Sequence, residues 1–437
     1  MNNFYHALAL LVSICAVCAY LNQRFLKWPQ VLAMNIMGAV IAATLMILGN
    51  FGLFDLKMIE SFVRHFNFED VVLHLLLGPL LFAGAKSVNT VKLKMWAKPI
   101  AALATVGVAI AAFVIGGVLW CAAQAFGFDL PFIWCVLFGA LISPTDPIAA
   151  LAIVKQANAP KAMEIKLVGE SLFNDATGVM MFLVVLAIIN TGELSTSLLA
   201  HELFVAPVGA AVLGALLGWF ATKALPHIDH HPTTLLITLA LALGTYALAE
   251  AIHVSAPIAV VAAGLVVGHM VRKGGIVSEE TREHVHVFWE GLDEVINALL
   301  FVLIGLELVL VETSWKIMLF GVVAWATVLL GRWVAVSAVL RPMKRRGGLG
   351  AGTTKVMVWG GLRGGISLAL ALSIPNSAQS ELLVAITFVV VAMSSAIQGM
   401  TLHRVIPKHI EADKNDPEIA HDDSVNDEDV ISEVNTK

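Results

Sequence analysis

Glu170-Ser171-Leu172-Phe173-Asn174-Asp175 places two carboxylates, a hydroxyl and a carboxamide within six residues, inside an apolar run over 167–190. At the helical period Ser171 and Asp175 (i,i+4) share a face, as do Ser171 and Asn174 (i,i+3). If the run lies in a bilayer, a charge near its middle costs about 2.5–3.5 kcal/mol even on lenient insertion scales. Such a cost is sustained where a charged species must pass. The stretch reads as half of a cation site on a membrane helix.

The rest of the chain fits that setting. Of 437 residues 58% are hydrophobic and 14% charged, with a mean hydropathy of +0.84. Soluble domains carry about 25% charged residues. Strand-period alternation is absent, which argues against a β-barrel. The expectation is an all-α polytopic membrane protein. The N-terminus, Met1-Asn2-Asn3-Phe4-Tyr5-His6, lacks the basic region of a secretory signal, so the first apolar run reads as a retained helix. Cys15, Cys18, Cys121 and Cys135 all fall in apolar runs and read as small packing residues. No zinc or haem spacing is present, so no resident cofactor is expected.

Hydropathy gives about thirteen apolar segments: 4–21, 30–49, 69–85, 99–123, 131–153, 167–190, 200–222, 233–252, 257–271, 287–311, 316–338, 352–374 and 381–402. Twenty-one of the 27 Lys and Arg then fall in loops on one side, among them Lys86, Lys155, Arg272 and Arg341. The positive-inside rule puts that side in the cytoplasm, the N-terminus outside and the C-terminus inside. From Glu411 to Lys437 the chain has ten acidic and two basic residues, and 406–437 reads as a disordered acidic cytoplasmic tail. Residues 50–68 read as an interfacial amphipathic connection.

Two further segments interrupt their own helices. The fifth contains Ser143-Pro144-Thr145-Asp146-Pro147, and two prolines three residues apart break the hydrogen-bond ladder. Freed carbonyls, the Thr145 hydroxyl and the Asp146 carboxylate would meet at bilayer depth, where irregular backbone survives only against protein or a cavity. A hard cation wants such oxygen ligands, and Asp146, Thr145, Ser171, Asn174 and Asp175 supply them. The twelfth contains Trp359-Gly360-Gly361-Leu362-Arg363-Gly364-Gly365-Ile366-Ser367, without a phosphate-loop pattern. Arg363 needs a buried partner, and Glu170 is the expected one, since Asp146 and Asp175 are assigned to the ion. The fifth and twelfth segments cross in opposite senses, as two broken helices of an inverted repeat do.

Lesser polar residues carry blander readings. Glu250, Glu290, Asp293, Glu294 and Glu307 lie near segment ends and are expected to snorkel. Asn297 is expected to bond across helices. His227, His230 and His231 share one basic loop and read as solvated, with a pH sensor as the alternative.

SPTDP (143–147), GESLFND (169–175), FWEGLDEVINALLFVLIGLEL (288–308), GGLRGG (360–365) and SLALALSIP (367–375) occur in an order that resembles the monovalent cation/proton antiporters, specifically the NhaP-type sodium/proton exchangers. The resemblance covers nearly all of the membrane part, 1–405. It implies a homodimer, with a dimerisation part at about 1–85 and 200–311 and a core part at about 99–190 and 316–402. It implies Na+ bound at Asp146, Ser171 and Asp175 with the Thr145 carbonyl, and a structural ion pair of Glu170 with Arg363. Asn174 stands where the electrogenic branch has a second aspartate, which implies electroneutral exchange of one Na+ or Li+ for one proton. Ala83 departs from the pattern, where many relatives carry a glutamate, and leaves selectivity among Na+, Li+ and K+ open.

The expected function is alternating-access antiport in the plasma (inner) membrane, by a transporter and not an enzyme, with monovalent cations, protons and lipid as partners and no nucleic acid. A K+/H+ antiporter on the same fold is the alternative. A cation channel would need a repeated filter, and an organic-anion symporter a free cationic group.

Overall fold

A computed structural model of the protein describes residues 2–28, 30–51, 70–156, 159, 161–193, 196–228, 230–273, 277–307, 314–344 and 351–413. Helix α1 (Asn2–Leu21) runs into a π-helical turn (Asn22–Leu26), and α2 (Gln30–Asn50) follows. A π-helical stretch (Asp70–Leu76) leads into α3 (Leu77–Ser87). Short α4 (Thr90–Met95) and α5 (Ala97–Ala102) precede a π-helical turn (Leu103–Gly107) and α6 (Val108–Phe126). Then come α7 (Phe132–Leu141), α8 (Pro147–Gln156), α9 (Lys161–Thr191) and α10 (Thr196–Ala200). A π-helical turn (His201–Val205) opens α11 (Ala206–Ala224), followed by α12 (His231–Ala251), α13 (Ala256–Arg272) and α14 (Glu279–Glu307). The chain ends through α15 (Trp315–Lys344), α16 (Ala351–Trp359), α17 (Gly365–Leu372), α18 (Ala378–Met393), a π-helical turn (Ser394–Gly399) and α19 (Met400–Asp413).

Among the described residues the only β pairing is one antiparallel bridge, Asp146 with Leu362. Among the described residues, seven helical stretches are long and apolar enough to cross a membrane: Leu8–Leu26, Ala97–Phe126, Ala162–Thr191, His201–His227, His231–Ala251, Trp315–Met343 and Ala378–Ile406. Shorter apolar helices include Phe132–Leu141 and Ala256–Arg272.

Local chemistry sets several ends. The Asn89 side chain accepts from the Val91 and Lys92 amides and starts α4. Gly127, at φ 66°, closes α6 in the left-handed region. Ser377 and Ser380 form a reciprocal capping box at the start of α18.

Packing relies on small residues, as expected where lipid removes the hydrophobic drive between helices. Gly305 of α14 lies so close to α2 that a Cβ there would stand 2.3 Å from the Gly38 carbonyl carbon. α11 packs on α13, and α13 on α3; α6 packs on α7 and α15, and α15 on α18.

Two expectations change. Residues 406–413, read as the start of the tail, belong to α19, because Leu402 and Ile406 are fully buried in the core and hold that helix against α16. Residues 414–437 lie outside the described residues, as does nearly all of the 50–68 connection. The segment expected at 287–311 starts earlier, since α14 runs from Glu279.

Both interrupted helices break where their sequences break. Residues 142–146 separate α7 from α8, with Pro147 opening α8, and residues 360–364 separate α16 from α17. The two breaks meet: the Asp146 amide donates to the Leu362 carbonyl at 2.8 Å. Each irregular stretch thereby satisfies part of the other's backbone, as membrane depth demands.

Candidate functional site

The site lies where α9 passes the break between α7 and α8. Ser171 Oγ donates to the Thr145 carbonyl, which the break has freed from helical pairing. Asn174 Nδ2 donates to Thr145 Oγ1 at 2.9 Å and to Glu170 Oε1 at 2.8 Å, and its Oδ1 accepts from the Thr145 amide at 3.4 Å. One carboxamide thus fixes the irregular strand against α9. Thr177, lower on α9, donates to the Ala104 carbonyl in the π-helical turn before α6.

Asp175 is 5% exposed, and its Oδ1 has no hydrogen-bond partner among the described residues. Both Asp175 and the half-buried Asp146 line a cavity of about 560 Å³. Thr145 lines it too. The structure therefore brings together all five sequence-derived ion candidates, Asp146, Thr145, Ser171, Asn174 and Asp175, at the interrupted helix. Gly364 allows the close approach of the second break: a Cβ there would lie 3.1 Å from Asp146 Cβ.

The expected ion pair of Glu170 with Arg363 is corrected. Glu170, 1% exposed, is held by Arg332 of α15 in a bidentate pair, Nη1 to Oε1 at 2.5 Å and Nη2 to Oε2 at 2.7 Å. Arg332 also donates from Nη2 and Nε to the Met357 carbonyl at 3.1 and 3.3 Å. Arg363 instead turns to the other break, where its Nη1 donates to the Ser143 and Pro144 carbonyls at 2.7 and 3.1 Å. The reason is geometric. Arg363 follows Leu362, whose carbonyl accepts from the Asp146 amide, and so stands beside the Ser143 and Pro144 carbonyls of the other break. Arg332 reaches Glu170 from α15 past Gly361, where a Cβ would stand 2.8 Å from Arg332 Nε.

Sequence reasoning missed Arg332; the signal that could have found it is an arginine inside the apolar segment 316–338. A second group lies on α14. Glu290, Asp293, Glu294 and Asn297 all line the cavity that holds Asp146 and Asp175. Three of the five carboxylates expected to snorkel thus line the cavity, Glu290 and Glu294 among them with exposed side chains, and Asn297, expected to bond across helices, donates to the Asp293 carbonyl of its own helix at 2.7 Å. Ala83 of α3 is also in the lining.

Chemically the arrangement offers a cation carboxylate and hydroxyl oxygens in a cavity, with its one buried Glu charge already neutralised by Arg332. Nothing in it resembles a nucleophile with its base.

Comparison with known proteins agrees with this geometry. The family profile described as "Sodium/hydrogen exchanger, transmembrane" matches residues 10–408. The Na(+)/H(+) antiporter NhaP of Pseudomonas aeruginosa is 41% identical over 403 residues, covering 90% of this chain and 94% of that one. The Na(+)/H(+) antiporter NhaH of Halobacillus dabanensis is 32% identical over 412 residues, covering 92% and 96%. Among solved structures, the sodium proton antiporter MjNhaP1 of Methanocaldococcus jannaschii at pH 8 superposes with a TM-score of 0.74 at 19% identity, over 93% of this chain and 99% of that one. A profile matching nearly the whole chain, a fold shared end to end and the meeting of two broken helices at an acidic site lead to one assignment: this chain belongs to the sodium/hydrogen exchanger family, in its NhaP-type branch.

Proposed function

We propose that the protein exchanges Na+ for protons across a membrane, one for one, with Asp175 as the group that takes either. The carrying observation is the Asp175 carboxylate, buried on α9 with an oxygen that has no partner among the described residues, in the cavity shared with Asp146. A proton or a dehydrated Na+ would complete it, and each excludes the other. Asp146, the Ser171 hydroxyl and the Thr145 carbonyl would supply further oxygens to the ion, and Li+ fits the same donor set. The Ser171 hydroxyl already reaches that carbonyl, so ion entry would compete with this hydrogen bond.

The cavity also touches Lys86, Ser87 and Lys155, at helix ends that bear the basic loops. With thirteen crossings, the N-terminus outside and the C-terminus inside the cell, that end is cytoplasmic, and the site would be reached from there. Alternating access would follow from movement of a core part, about 99–190 and 316–402, against a dimerisation part, about 1–85 and 200–311, in a homodimer of the plasma membrane. A site emptied of both proton and cation leaves uncompensated buried charge, which is costly to carry across. That cost would couple the two fluxes.

The test is proton flux in proteoliposomes of purified protein. A pH dye should report dissipation of a preset ΔpH on adding Na+ or Li+, unchanged when the membrane potential is clamped with K+ and valinomycin. A response to K+ in place of Na+ would assign the alternative cation. A rate that follows the clamped voltage would refute one-for-one exchange.

A further inference from the structure

We propose that His231, His284 and Glu280 form a binding site for a divalent first-row transition ion of the Zn2+ class, joining the start of α12 to the first turns of α14. His231 is far from the other two in sequence, so no local spacing announces the site; the fold creates it. One donor atom of each residue lies within 4.8 Å of those of the other two. Glu280 and His284 are i,i+4 on α14 and share a face. His231 and His284 stack with ring centroids 4.6 Å apart and planes 4° from parallel. His231 Nε2 lies 3.6 Å from Glu280 Oε1.

The surroundings prepare the imidazoles as ligands. His284 Nδ1 donates to the Glu280 carbonyl at 2.7 Å, which leaves Nε2 as the free donor. His231 Nδ1 lies 2.6 Å from the Thr281 hydroxyl, itself bonded by Ser278 Oγ at 3.0 Å. Metal-binding histidines are oriented in this way, one ring nitrogen held by protein oxygen and the other directed at the ion.

Two imidazoles and a carboxylate suit Zn2+, Co2+ or Ni2+, with water in the remaining position. They do not suit Na+ or K+, which want oxygen ligands alone. The site is therefore chemically separate from the cavity at Asp175. Glu280 and His284 are exposed and His231 is half-buried; an ion lies in the plane of each imidazole that binds it, so the exposed His284 ring would turn out of the parallel stack for both rings to face one ion. An ion there ties α12 to α14 just ahead of His286 and Glu290, which line the transport cavity.

Full-length protein, freed of its affinity tag and stripped with chelator, is titrated with Zn2+ by calorimetry and with Co2+ by visible absorption. One saturable site per chain is expected, with Co2+ ligand-field bands that Zn2+ abolishes. His284→Ala and His231→Ala should each weaken binding by at least about tenfold, the least that loss of even an outer partner costs such sites. His201→Ala, at a second His–Glu contact, should change nothing. Because His284 is exposed, its variant keeps the fold. Wild-type affinity and stoichiometry in His284→Ala, or no saturable site in the wild type, would overturn the proposal. Binding is read without transport, so this outcome is independent of the exchange reaction.

Discussion

Removing the Arg332 guanidinium should cost more stability than its single position suggests. Arg332→Met keeps the apolar stem but strips Glu170 of its bidentate partner. Glu170 is 1% exposed and would retain only Asn174 Nδ2 as a charge-stabilising donor. Breaking a buried pair from one side costs about 3–5 kcal/mol. At about 2.1 cal/mol/K per residue, unfolding of 437 residues carries an entropy of roughly 0.9 kcal/mol/K. The midpoint of thermal unfolding should then fall by roughly 3–5 °C, and by more if helices persist in the unfolded state. The ten tryptophans provide the fluorescence signal in detergent. Glu170→Gln in the same background should recover much of the loss, because no uncompensated charge remains, with a coupling energy of about 2–3 kcal/mol. The same cycle run between Glu170 and Arg363→Met should show much weaker coupling. Strong coupling of Glu170 to Arg363 and none to Arg332 would refute the arrangement and restore the pairing expected from sequence alone.

Asp175→Asn preserves volume and should abolish Na+-driven proton movement in proteoliposomes; full activity in this variant would remove Asp175 from the mechanism. If proton and cation compete for one group, half-saturating Na+ in the wild type should fall about tenfold per pH unit wherever the site is mostly protonated, and a flat profile would contradict competition. Gly361→Ala places a methyl 2.8 Å from Arg332 Nε, and this overpacking should cost about 1–3 kcal/mol in thermal unfolding. Ala83→Glu adds a carboxylate to the cavity lining; at roughly 1 kcal/mol in a wet cavity it should lower half-saturating Na+ about fivefold, and an unchanged value would mean the cation never passes within reach of α3.

Backbone breaks were readable because they are written in residue type. Pro144 and Pro147 cannot sustain a helix, and the glycines around Arg363 weaken one. Asp175 was readable because a charge in an apolar run has few reasons to exist. Partner choice was not readable. The apolar runs offered Glu170 two buried arginines, 332 and 363, and the decision rests on which helix faces which, a property of packing. The π-helical turns carry no residue signature of their own. That Glu290, Asp293 and Glu294 line the cavity was not readable either: their segment was expected to begin at 287, whereas α14 begins at Glu279 and turns all three toward the cavity. His231 and His284 meet only because α12 and α14 start side by side.

Asn174 bears on the proposed stoichiometry. Its amide donates at once to Thr145 Oγ1 and to Glu170 Oε1. An ionised aspartate there could still accept from the Thr145 hydroxyl but could not donate to Glu170, and it would stand against the Glu170 carboxylate, where Asn174 Nδ2 now lies 2.8 Å away. Like charges at that separation cannot both remain ionised without a proton or cation between them. An aspartate would therefore bring a second exchangeable charge into the centre, and asparagine brings none. Arg332 balances the Glu170 charge, while the Arg363 Nη1 is held by two neutral carbonyls, so its positive charge stays constant whichever occupant is bound. Asp175 and Asp146 are the acidic groups proposed to meet the ion, with Glu290, Asp293 and Glu294 elsewhere in the cavity lining, and Asp175 holds an oxygen unpartnered among the described residues. One proton or one monovalent cation brings that pair to the same net charge, so the loaded site would cost a similar amount to move with either occupant, which is the electrostatic argument for the proposed exchange at one to one.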